Sequence, residues 1–157
     1  MQTSADLGKL VLRLTLGVLT LLHGIAKISA GVGGIAGMLG KAGLPSLLAY
    51  GVYAGEVVAP LLLILGLWTR PAALVVAVNM LFAVVLAHPD EVFQLTRTGG
   101  WALELQGFFL FTALAVALLG AGRFSVGGAG GRFNYRAAAG RSWRGSHPSP
   151  LACRLWM

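Results

Sequence analysis

LGKLVLRLTLGVLTLLHGIAKIS, Leu7 to Ser29, is apolar for long enough to cross a bilayer and yet carries Arg13, His23 and Lys27. A rise of about 1.5 Å per residue covers roughly 30 Å of hydrocarbon in such a run. An Arg or Lys at its centre costs about 2.5–3.5 kcal/mol on insertion scales, so these groups are expected to face protein or water. Arg13, Gly17, Thr20, Gly24 and Lys27 follow one another at steps of four and three, which places them in one stripe. His23 stands beside that stripe, three residues after Thr20 and four before Lys27. One face of this helix is polar and small, and it needs partners.

The rest of the chain agrees with a membrane setting. Of 157 residues, 57% are hydrophobic and only 11% charged, and the mean hydropathy is +0.79. A soluble domain of this size could not present that balance to water. The net charge of +7 does not point to nucleic acid, because the basic residues are scattered at helix ends and in a tail rather than interleaved with aromatics on a soluble domain. The lone Cys153 excludes an internal disulfide and a CxxC redox pair. The first run is longer than a signal-peptide core and lacks an A-x-A site, so it reads as a span.

Four spans are expected. The first starts after Asp6, a candidate N-cap, and ends near Ser29 before a glycine-rich turn. Ile35 to Ser46 is too short to cross and reads as an amphipathic helix at the interface, closed by Pro45. The second span runs from Leu47 to Trp68 and holds Glu56 and Pro60. Thr69-Arg70-Pro71 then makes a tight connection to the third, Ala72 to His88, which holds Asn79. The fourth, Trp101 to Ala121, holds Glu104 and Gln106. The fold class is therefore all-α, a four-helix membrane bundle over residues 1–126, followed by a Gly/Arg/Ser-rich stretch, 127–157, that reads as a disordered basic tail. Nine basic residues, among them Lys9, Arg13, Arg70 and Arg123, fall on one side of this layout. Lys27, Lys41 and Arg97 fall on the other, so both termini are expected in the cytoplasm.

Helical rise then ranks the polar groups by depth. Below the outer face, Lys27 lies at about 3 Å, Glu104 at about 5 Å, His23 at about 9 Å, and Glu56 and Asn79 at about 13 Å. A shallow layer would pair Lys27 with Glu104 near His88. A deeper one would gather His23, Glu56 and Asn79, with Arg13 near the inner face. The ionisable set Arg13, His23, Lys27, Glu56, His88 and Glu104, together with Asn79, is the candidate polar chamber, and His23 and Glu56 are the candidate proton-handling pair. Bland alternatives stand beside this. Asn79 and Gln106 suit plain interhelical hydrogen bonds, and Gly51 with Gly55 suits close helix packing. Gly31, Gly33 and Ala36 match a dinucleotide fingerprint, but no strand precedes them. His23 and His88 differ too much in depth to face each other across a haem. No metal site is indicated.

These residues together resemble the DoxX family of small bacterial membrane proteins. The resemblance rests on LVLRLTLGVLTLLHGIAKI, on GLP at Gly43 to Pro45, on Glu56 with LGLWTRPAAL downstream, and on Met80, His88, Gly99-Gly100, Glu104 and the closing Gly120 to Ser125. It covers about residues 7–126. Where many members carry an acidic residue after that serine, this chain has Val126. The resemblance implies a four-helix protein of the bacterial inner membrane, acting as an oxidoreductase or as a quinone-linked subunit alongside redox-enzyme partners. On that reading His23 and Glu56 exchange protons with a quinone while Lys27 and Glu104 fix the outer mouth. The reading of a different class is a non-enzymatic scaffold or a small-solute transport protein, whose polar residues would line a path or dock a partner.

Overall fold

The computed structural model describes residues 2–128. The expected basic tail, 127–157, lies outside the described residues except for its first two positions. Among the described residues the chain is all helical, with no strand beyond one isolated bridge between Leu95 and Trp101. We number the helices α1, Gln2–Ala30; α2, Gly33–Lys41; α3, Ser46–Leu65; α4, Thr69–Ala87; and α5, Glu104–Leu119. Thr3–Ala30 of α1, α3 and α4 are each long and apolar enough to cross a membrane. Helix α5 is apolar but only 16 residues long.

Packing follows the small residues. The core joins Leu16, Leu63, Val76, Phe109 and Val116 with Ala59, Ala72, Ala73, Ala77 and Ala113. Helices surrounded by lipid gain little from burying apolar surface, so close van der Waals approach over small side chains holds them together. Helix α1 packs on the second half of α3 and on α5, and α4 packs on α3 and α5. At Gly17 a Cβ would stand 2.8 Å from Ile64 Cγ1, and at Gly24 it would overlap the Glu56 carbonyl oxygen. The stripe on α1 is thus the surface that α3 lies against.

Helix α3 is irregular for a local reason. It opens as a 3₁₀ turn, Ser46–Tyr50, after Pro45, and widens into a π-turn, Ala54–Val58, in which the Ala59 N–H bonds the Ala54 carbonyl. Pro60 follows at once. It has no N–H to return to the Glu56 carbonyl, so the regular ladder fails at the residue that carries the carboxylate. The helix ends in a Schellman motif, with Gly66 at φ 74° and the Leu67 N–H on the Leu62 carbonyl at 2.9 Å.

Several boundaries differ from expectation: the short helix expected over Ile35 to Ser46 is Gly33–Lys41, and the helix expected from Trp101 to Ala121 is Glu104–Leu119. The α3–α4 turn is Gly66 to Trp68, and Thr69-Arg70-Pro71 is already helical; Pro71 falls within the first turn, where its missing N–H has no partner to lose. Asp6 is no N-cap, because α1 begins four residues earlier and the Asp6 carboxylate instead lies 3.7 Å from Lys9 within the helix.

Candidate functional site

The π-turn carries Glu56 into the interior, where it is 2% exposed. Its Oε1 accepts from Lys27 Nζ on α1 and from Asn79 Nδ2 on α4, the latter at 3.0 Å. Three helices therefore converge on one carboxylate oxygen. The other oxygen, Oε2, is buried and has no hydrogen-bond partner among the described residues. The Lys27 side chain remains 34% exposed, and Tyr53 Oη donates to the Lys27 carbonyl at 3.5 Å. Gly55 makes the approach possible, since a Cβ there would come within 2.6 Å of the Asn79 side chain.

This cluster forms part of the wall of a cavity of about 650 Å³, within the range of small-molecule sites. His23, Lys27, Glu56, Asn79, His88 and Gln106 supply its polar lining, and aliphatic and aromatic side chains supply the rest. Helix α2 closes one side with Ile35, Met38 and Leu39. His23 is exposed, and its ring meets Phe109 edge-on at 5.6 Å. His88 Nδ1 lies 3.1 Å from Glu91 Oε2. Lys27, whose ammonium gives only part of its donor capacity to Glu56, lines an otherwise apolar chamber and can hold a ligand that carries an oxygen acceptor on an apolar body.

A family model described as DoxX matches residues 8–89. The chain belongs to the DoxX family. It is similar to "Putative oxidoreductase CatD" of Bacillus subtilis, 31% identical over 76% of this chain and 84% of that protein. It is also similar to an "Uncharacterized protein" of Haemophilus influenzae, 40% identical over 64% of this chain and 76% of the other. No solved structure matches. Family and apolar helices together make this DoxX chain a membrane protein.

The structure groups the candidate residues differently from the depth ranking. Lys27 pairs with Glu56 and not with Glu104. Glu104 is exposed outside the cavity at the start of α5, its Oε1 accepting from the Trp101 N–H at 3.2 Å, so a backbone amide satisfies it. Arg13 is likewise outside the chamber. It is 2% exposed, and its Nη1 and Nη2 donate to the carbonyls of Ala121 at 3.3 Å and Phe124 at 2.7 Å, tying α1 to the turn after α5. His23 shares the cavity with Glu56 but makes no hydrogen bond to it. Of the Gly51 and Gly55 pair only Gly55 is in close contact; Gly51 faces open space. The cavity wall from α2 and the Phe109 contact lie outside the sequence reading, in which only Gln106, one turn from Phe109, marks that side of α5.

Proposed function

We propose that this DoxX protein is a four-span subunit of a redox system in the bacterial inner membrane, with both termini cytoplasmic, holding a quinone in the cavity beside Lys27, Glu56 and Asn79. The observation that carries this reading is the carboxylate gathered from three helices at the wall of an otherwise apolar chamber of about 650 Å³. A quinone head presents carbonyl acceptors on a flat apolar ring, which fits that wall. The name of the Bacillus subtilis relative supports an oxidoreductase class. Reduction of a bound quinone takes up electrons and protons, the electrons coming from a partner enzyme or its cofactor. Lys27 keeps N–H donors beyond the one given to Glu56 and orients an acceptor oxygen. Reduction to the quinol consumes two protons with its two electrons; His23 gives one as imidazolium and Glu56 one as carboxylic acid, each reloaded from outside the site, and quinol oxidation runs the same transfers in reverse.

The test uses full-length protein in lipid nanodiscs. Retention of a benzoquinone, with an absorbance that changes on reduction, is expected for the wild type. Weakened quinone-dependent turnover is expected for His23→Gln and Glu56→Gln. Unchanged turnover in both variants sinks the proton-handling roles, and failure to retain any quinone sinks the ligand. Fluorescent-protein and alkaline-phosphatase fusions at the C-terminus and within the 93–100 loop check the topology, with the C-terminus expected on the cytoplasmic side.

A further inference from the structure

The cavity is not confined to the bundle interior. Its wall on α4 continues along Leu74, Val78, Phe82 and Leu86, each one turn from the next, a lane about 18 Å long by helical rise. Leu74, Val78 and Phe82 are 50%, 51% and 54% exposed. They line the cavity and at the same time form the outer surface of a helix long enough to cross the membrane. At the Phe82–Leu86 end of the lane α3 contributes Leu48, Gly51 and Val52. Gly51 leaves the lane open, since nothing lies within 4 Å of where its Cβ would be. The polar cluster and the apolar lane are one continuous space.

We propose that this lane takes the hydrocarbon tail of the ligand, which enters sideways from the lipid between α3 and α4 with its head turned toward Lys27 and Glu56. This rests on the quinone reading and narrows it to long-chain quinones drawn from the bilayer. The lane carries no charge and, with Leu74, Val78, Phe82 and Leu86 along α4 and Leu48 near its Leu86 end, offers a chain only contacts it already has in lipid. Moving a tail from lipid into the lane is therefore nearly neutral. Affinity comes from the head at the ion pair, and the lane supplies access and orientation.

Filling the lane separates the two contributions. Gly51→Trp fills it from α3 and Val78→Trp from α4, while Val85→Trp adds the same bulk to a lipid-facing position of α4 outside the cavity lining. Each full-length variant is titrated in phosphatidylcholine nanodiscs with dimethoxy-methyl-benzoquinone bearing a decyl chain and with the same head lacking the chain. Comparing each variant with wild type for one compound at a time cancels differences in partitioning. Gly51→Trp and Val78→Trp are expected to weaken the decyl compound by about tenfold or more, a loss of ~1.4 kcal/mol, while the tailless head binds as before and so reports an intact fold. Val85→Trp is expected to change neither. Equal weakening of both compounds, or of neither, in the two lane variants overturns the assignment while leaving the quinone reading in place. A wild type that binds neither compound removes the quinone reading and the lane together.

Discussion

Lys27 and Glu56 are unequal partners, and the inequality has measurable consequences. Glu56 is almost wholly enclosed, whereas a third of the Lys27 side chain is exposed. Lys27→Met leaves a buried carboxylate with Asn79 alone, and removing one partner of a buried pair costs ~3–5 kcal/mol, the lower end applying where one member is part exposed. Glu56→Gln keeps the shape and the Asn79 contact, and the freed ammonium turns to polar surroundings, so about 1 kcal/mol is expected. Thermal unfolding in detergent should rank Lys27→Met well below Glu56→Gln, and the reverse order would show that Lys27 is the more enclosed group. The pair also shows why depth ranking misleads. Ranking by Cα places Lys27 some 10 Å above Glu56 at ~1.5 Å per residue. But helical side chains lean toward their own N-terminus. A Cβ at Gly24 would overlap the Glu56 carbonyl, so Glu56 stands beside Gly24 and Lys27 is only three residues, ~4.5 Å, further along; on antiparallel α1 and α3 the two side chains lean toward each other and close what is left. Residue types and the three long apolar helices were legible; which carboxylate answers which cation depends on register and side-chain direction.

At the scale of elements, the fit of α1 against α3 is governed by glycines whose roles differ by place. A Cβ at Gly24 would overlap the Glu56 carbonyl oxygen, a backbone atom that cannot swing aside. Gly24→Ala should therefore push α1 from the π-turn and cost ~1–3 kcal/mol. Gly37, within α2, has nothing within 4 Å of the same position, so Gly37→Ala should stabilise by ~0.5–1 kcal/mol through helix propensity alone. Melting temperatures moving in opposite directions would bear this out, and a shared direction would refute the packing account. The period of Arg13, Gly17, Thr20, Gly24 and Lys27 makes that face readable in advance, because steps of three and four mark a packed stripe whatever it packs against. The π-turn at Ala54–Val58 is not readable in the same way. Pro60 announces a missing hydrogen bond, but whether the chain kinks, tightens or widens is decided by the neighbour, here Gly24 making room for a displaced carbonyl.

Across the whole molecule the charged groups divide into two ends with different work. Lys27, Glu56 and Asn79 join three helices at the cavity, and Arg13 ties α1 to the Ala121–Phe124 turn, 14 residues or about 21 Å back along the helix. Gly66 at the end of α3 leaves the space that the guanidinium fills, for a Cβ there would overlap Arg13 Nη1. The clamp thus fixes the first and last described helices to the α3–α4 turn. Arg13→Met matches the stem but leaves two carbonyls without their donor, which costs ~1–3 kcal/mol. Its effect should be local. Arg123 is exposed beside the clamp, so trypsin should cut there faster once the turn is released, and the melting temperature should fall. Quinone binding should hold, because the variant removes no group from the cavity and the core between the two ends, Leu16, Leu63 and Val116, is untouched. Faster cleavage at Arg123 with unchanged ligand affinity would establish that the bundle is tied at one end and binds at the other. Loss of affinity in step with cleavage would mean that the clamp sets the spacing of α1 and α3 along their whole length, and with it the geometry at Glu56.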